Sequence, residues 1–300
     1  MVTPQNKNTS PNLENIIGKA KLEKKISGFQ FTEGPIWIPE GFLLFSDIPA
    51  DTIYKYEPGL QTEIFLKPSG HSNGLTLDQQ GRLLKCEHDR RVTRLEKDGT
   101  TNELAGYYEG KRLNSPNDIV VKTDDTIYFT DPTFGLPNRT EGKELDFCGV
   151  FRVETNGTIT LLDKSIELPN GLAFSPDERL LYVDDSSSGH VYVFDVSGGG
   201  LLENKRLFAD VSGLDGRGGD GMKVDVDGNL FVTGPEGVSV FSSDGLRYGV
   251  LECPEKPSNL AWGDDDFRTL YITARTSVYC IRVLTGGTSL IPDFTPSPVF

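Results

Sequence analysis

Hydrophobic residues in this chain fall in short alternating runs separated by clusters of Gly, Pro, Asn and Asp. Alternation with a period of two, bounded by turn-forming residues, predicts β-strands rather than helices. One arrangement recurs: a polar residue, a small residue or proline, alternating apolars, a tight turn, and a second apolar run. Its copies begin at Glu33, Asn73, Asn117, Asn170, Asp220 and Asn259. The leads are spaced 40, 44, 53, 50 and 39 residues apart, the length that four short strands and their turns occupy.

Each copy reads as a β-hairpin. Pro39-Glu40-Gly41, Gln80-Gly81, Asp124-Asp125, Pro176-Asp177, Asp227-Gly228 and Asp265-Asp266 supply the turn chemistry. A third strand follows every hairpin, from Thr52, Arg91, Gly149, His190, Gly237 and Ser277, and most of these end at a glycine-containing turn (Gly59, Gly99, Gly157, Gly198, Gly245) that leads into a fourth. The last unit is one strand short, and the segment from Leu22 to Phe31 is left over at the N-terminus. These elements predict an all-β fold, a six-bladed β-propeller of four-stranded blades whose ring is closed by that N-terminal strand. Closure hides sheet edges that would otherwise recruit other chains; an open sandwich of hairpins is the competing architecture. Residues 1–20 are expected to be a disordered or loosely attached lead-in, and residues 21–300 a single propeller domain.

Composition narrows the function. A chain of 300 residues with 33 Gly and 18 Pro turns often and is long enough to bury a core without disulfides. The net charge of −14 argues against nucleic-acid and anionic-membrane partners. No apolar run approaches the length of a membrane span. Cys86, Cys148, Cys253 and Cys280 lack zinc-finger spacing and fit a reducing compartment. With no apolar signal-like core near the N-terminus, the expected location is the cytoplasm, or the periplasm or exterior if a signal has been removed.

In a propeller the first strand of each blade borders the central channel, so the leads face one another around the axis. Every lead carries a side-chain oxygen. Two carboxylates and several amide carbonyls around a narrow hole form a site for one hard divalent cation: calcium first, with magnesium, manganese or zinc as alternatives. Without a cation, Glu33 and Asp220 would repel and raise a carboxyl pKa. A second acidic set, Asp47, Glu87, Asp131 and Asp184, lies fourteen residues after the first four leads. Antiparallel pairing returns it to the same mouth, where it orients ligands, binds substrate or accepts neighbouring hydrogen bonds. His88 and His71 approach the mouth, whereas His190 opens a third strand. The longest interval places an extra loop at residues 132–148, a candidate lid in which Phe134 and Leu136 supply an apolar face.

The pieces FTEGPIW around Glu33, NSPNDI around Asn117, LPNGLAFS around Asn170 and GGDGMKVDVDGNLFV around Asp220 resemble the senescence-marker-protein/gluconolactonase/luciferin-regenerating-enzyme family of six-bladed propellers. That resemblance spans residues 31–233, with looser similarity to Thr273. It implies metal ligation by Glu33, Asn170 and Asp220, with Asn117 a further ligand or substrate contact. It also implies that Asp220 is the catalytic residue, acting on water or substrate, and that the activity is calcium-dependent hydrolysis of a sugar lactone. The substrate contacts are assigned to Asn73, Asn117, His88 and Asp131. An arginine that some relatives carry two residues before the substrate asparagine is Ser115 here, with Arg112 nearby. Two other readings stand beside lactone hydrolysis: phosphotriester hydrolysis of the diisopropylfluorophosphatase type, and a non-catalytic propeller rigidified by its metal. The expected partner is a small lactone or ester; the sequence leaves the oligomeric state open.

Overall fold

A computed structural model describes residues 12–288. Six four-stranded antiparallel sheets are arranged around one axis as a six-bladed β-propeller. The first blade runs Thr32–Ile38, Phe42–Asp47, Thr52–Tyr56 and Glu63–Leu66, and the second from Ser72–Leu77 to Thr101–Ala105. The third spans Ile119–Val121 to Ile159–Asp163, the fourth Pro169–Phe174 to Leu202–Asp210, and the fifth Met222–Val224 to Arg247–Leu251. The sixth contains Pro257–Gly263, Thr269–Ala274 and Ser277–Arg282, and its outer strand is Glu23–Ser27 from the other end of the chain. Glu23 pairs with Cys280 and Ser27 with Ser277 in that seam. The ring therefore closes through the segment the repeat count leaves over.

Apolar cores lie between neighbouring blades, so both faces of the inner strands are covered. Leu83–Glu87 and Leu230–Gly234 are buried at every position, which explains why second strands read as nearly continuous apolar runs. Trp37 of the first blade stacks on Tyr271 of the last, with ring centroids 5.3 Å apart, and so packs the seam as well as pairing it. Outer strands such as Glu63–Leu66 are largely exposed.

The hairpin turns fall where expected. Gly41, Gly81 and Gly228 take positive φ at those turns, a conformation open to glycine at no steric cost. In the fourth blade the left-handed residue of the outer turn is Gly200 (φ 74°) rather than Gly198. Part of the expected lead-in is described. Glu14–Ile17 forms one helical turn, Ile16 is buried in the core of the fifth and sixth blades, and the Leu284 amide donates to the Ile16 carbonyl at 2.8 Å. Residues 1–11 of that lead-in and the last twelve of the expected 21–300 domain lie outside the described residues. Among the described residues no helix is long and apolar enough to cross a membrane.

Candidate metal centre at the propeller axis

The channel leads are aimed by β-bulges. Thr130 faces two residues at once: the Asn117 amide donates to its carbonyl at 2.9 Å, and its own amide donates to the Asp118 carbonyl at 3.1 Å. Register shifts recur between Glu33 and Ile36, Ser72 and Leu75, Pro169 and Leu172, and Pro257 and Asn259. A bulge adds a residue on one strand and redirects its side chain, which turns the lead residues toward the axis.

Glycines after the leads let neighbouring blades touch. The Gly74 amide donates to the Asn117 carbonyl at 2.8 Å and the Gly171 amide to the Asp220 carbonyl at 3.1 Å. A Cβ on Gly34 would stand 1.8 Å from the Asn73 carbonyl oxygen, and one on Gly171 2.1 Å from that of Asp220. Second-strand hydroxyls add further stitches: Ser46 Oγ donates to the Asn73 carbonyl at 2.8 Å and Thr130 Oγ1 to the Asn170 carbonyl at 2.7 Å. In the third blade the residue after the lead is Asp118 instead of glycine, and its carboxyl enters the axis.

The structure brings Glu33, Asn170, Asp220 and Asn259 together. Asn170 Nδ2 donates to Asp220 Oδ1 at 2.9 Å and to Ser186 Oγ at 3.0 Å. Asn259 Nδ2 donates to Glu33 Oε2 at 3.1 Å and approaches Asp118 Oδ2 at 3.4 Å. Glu33 and Asp220 are close enough for each to perturb the other's carboxyl. Burial first, and then the Asp220 and Asp118 charges, holds the Glu33 carboxyl well above the usual glutamate range. Burial pushes Asp220 up to about 7, against the opposing pull of Lys256. Asp118 is raised by burial and relieved mainly by Lys223.

Asn117 is buried at the same ring and its amide makes no side-chain hydrogen bond among the described residues. Asn73 Nδ2 lies 3.4 Å from His88 Nε2. Burial drops the His88 pKa to about 4, so this imidazole is neutral at physiological pH. Gly135 of the 132–148 loop abuts the His88 ring, and Leu136 is buried. His71 instead pairs with Asp89 at 2.9 Å on the surface, and His190 opens its strand beside Tyr192.

The second acidic set is buried rather than solvated. Asp47 accepts the amides of Gln30 and Phe31 at 2.9 and 3.1 Å, and so fixes the chain that enters the first blade. Asp131 Oδ2 does the same for the Asn114 amide at 2.8 Å, and burial raises this acid to about 7. Glu87 is held by Lys85, Arg91 and Thr93. In the fourth blade that anchoring falls to Asp185, which accepts the Leu168 amide at 3.0 Å. Asp184 is released from it, and both its oxygens are buried with no hydrogen-bond partner among the described residues.

The donor set suits a hard cation. Among the described residues no three His, Cys, Asp or Glu side chains gather closely enough to hold a metal by themselves. Ligation would fall to the carboxylates of Glu33 and Asp220, completed by amide oxygens of Asn170 and Asn117 and by water. All are oxygens, as calcium prefers, and the two adjacent acids keep raised pKa values in spite of the Lys256 charge. Sequence reasoning missed Asp118, Ser186 and Lys223. Simple alternation sends a residue beside a lead away from the axis, and only the missing glycine in Asn117-Asp118 signalled otherwise.

Comparison with known proteins agrees with the propeller fold. The family model described as SMP-30/Gluconolactonase/LRE-like region matches residues 31–276. A gluconolactonase of Zymomonas mobilis subsp. mobilis is 36% identical, over 93% of this chain and 86% of its own length. A pentonolactonase of Haloferax volcanii is 28% identical, with 80% of each chain covered. The solved structure of a gluconolactonase from Xanthomonas campestris superposes with a TM-score of 0.82 at 35% identity, covering 90% of this chain and 92% of that one. With its match running from the entry strand of the first blade into the last, the chain belongs to the SMP-30/gluconolactonase/LRE-like family.

Proposed function

We infer that this protein hydrolyses the ring ester of a sugar lactone at the axial cluster, with one divalent cation, calcium first, held by Glu33, Asn170, Asp220 and Asn117. The observation that carries this reading is the pair of buried, mutually repelling carboxyls of Glu33 and Asp220 beside two side-chain amides. The gluconolactonase and pentonolactonase relatives support the substrate class.

A cation bound there supplies Lewis acidity that polarises a carbonyl oxygen. The chain's own residues do the rest. Asp220, kept ionised by a cation bound beside it, accepts a proton from the attacking water as the oxygen–carbon bond forms. When the ring carbon–oxygen bond breaks, that proton returns to the departing oxygen, which leaves as the hydroxyl of the hydroxy acid. The Asn170 hydrogen bond fixes the Asp220 carboxylate. Asn117 and Asn73 line the same mouth and donate hydrogen bonds to substrate oxygens. His88, kept neutral, offers a polar contact without introducing a charge near the cluster.

A panel of aldonolactones and organophosphates, followed by acid release with and without calcium, tests the assignment. Calcium-dependent opening of lactones with little phosphotriester turnover is expected. Preferential phosphotriester cleavage, or calcium binding with no turnover of any lactone, would overturn it.

A further inference from the structure

The channel has a second end. Strands advance about 3.3 Å per residue, so residues two to four positions beyond the leads line the axis toward the face opposite the oxygen ring. There Ile36, Trp37, Leu75, Ile119, Ala173 and Trp262 border a cavity of about 300 Å³, at the small end of the range for small-molecule sites. Its rim carboxylates are already engaged. Glu178 accepts the Thr123 amide and hydroxyl at 2.8 and 2.9 Å, and Asp225 accepts Asn229 Nδ2 at 2.8 Å.

Among the described residues one cation borders this apolar space. Lys223 lines the cavity from the first strand of the fifth blade, half-buried, with its ammonium pointed back toward the ring of leads. It donates to the Met222 carbonyl at 3.0 Å and, weakly, to Asn259 Oδ1 at 3.5 Å. An ammonium has three N–H donors; one makes no hydrogen bond among the described residues, although the charge also acts on Asp118. Apolar walls ending at an incompletely bonded cation are complementary to an amphipathic monoanion. A carboxylate beside Lys223 would form a charge-assisted hydrogen bond in a poorly solvated setting, and its tail would bury apolar surface against the first strands.

We propose that this cavity is a second ligand site, separate from the metal centre, that takes a small amphipathic monocarboxylate with its head group on Lys223 and its tail between Trp37 and Trp262. Trp37 lies four residues along its strand from Glu33, or about 13 Å, so the tail of such a ligand lies away from the metal-centre carboxylates, while Asn259 stands between its head group and Glu33. The site does not depend on lactone hydrolysis being the activity.

The only tryptophans of the chain, Trp37 and Trp262, both border the cavity, so intrinsic fluorescence reports on it directly. Octanoate titrated into the full-length protein should give a saturable change, the same with calcium or with chelator. Octanol should bind about tenfold more weakly, the loss of one charged hydrogen bond. Lys223→Met should abolish that preference while octanol still binds, and Ala173→Leu should weaken both by narrowing the space. The site is overturned if octanoate gives no saturable response, if it competes with calcium, or if octanoate and octanol bind the wild type equally. Should Lys223→Met fail to fold, the wild-type comparison of octanoate with octanol decides alone.

Discussion

Asn170 Nδ2 sits 2.9 Å from Asp220 Oδ1 and 3.0 Å from Ser186 Oγ. Both amide hydrogens are thereby engaged, and the carbonyl oxygen is the part of the side chain left for a ligand. The same contact holds the Asp220 carboxyl in place. Replacing Asp220 by Asn keeps a side-chain oxygen for Asn170 but removes the base. Lactone turnover should fall by about 10²–10⁴-fold, the usual contribution of a general base, while the thermal midpoint at pH 7 stays near that of the wild type. Undiminished turnover in a folded Asp220→Asn protein would remove this residue from the mechanism.

Calcium binding should release protons. Glu33 and Asp220 both carry raised pKa values in the metal-free protein, so below about pH 7 the pair retains a proton that a cation must displace. Calorimetric titration at pH 6 in buffers of different ionisation enthalpy should reveal net proton release, and apparent affinity should climb as pH rises toward 8. Binding enthalpies independent of the buffer would argue against ligation by these two carboxyls.

Asp131 offers a separate test of pH and stability. Burial lifts its pKa to about 7 in the folded protein, so the folded state holds the proton more tightly than the unfolded chain does. Its contribution is fully present below about pH 4 and is lost as pH rises toward 7. Asp131→Asn should be close to neutral at pH 4 and more stable than the wild type by on the order of a few kcal/mol at pH 8. Urea melts at both pH values measure the difference; an offset that does not change with pH would contradict it.

Glycine substitutions should separate the channel from the periphery. Ala at Gly34 would drive its Cβ to 1.8 Å from the Asn73 carbonyl oxygen, a clash with backbone that both blades would have to relieve. A loss above about 4 kcal/mol, or failure to fold, is expected. At Gly59 a Cβ meets nothing within 4 Å and only the positive φ of 86° is unfavourable, so Gly59→Ala should cost about 1–2 kcal/mol. Similar losses at both positions would refute the close packing of the leads.

The fold was legible because a repeated hydrophobic rhythm is a property of the sequence, and the unpaired segment before Glu33 accounted for the missing sixth outer strand. The site was legible only in part. Glu33, Asn170 and Asp220 open their units and could be found by register. Asp118 could not, because a bulge puts two adjacent side chains on one face where strict alternation allows one. Asp131 was read as a substrate contact from its position at a strand end, yet its side chain is fully buried and accepts the Asn114 amide. Asp47 and Asp131 anchor the incoming chain, whereas Glu87 is held by Lys85, Arg91 and Thr93. Asp184 departs from that role only because Asp185, its neighbour, takes it over, an exchange that spacing alone does not reveal.

Titration of metal-stripped protein with calcium at pH 7.5, with lactone hydrolysis followed on the same samples, tests the central claim most directly. One equivalent should bind, hydrolysis should rise in step with occupancy, and Glu33→Gln should weaken binding by at least about tenfold, equivalent to about 1.4 kcal/mol. Full turnover by the stripped protein, or unchanged calcium affinity in Glu33→Gln, would contradict it.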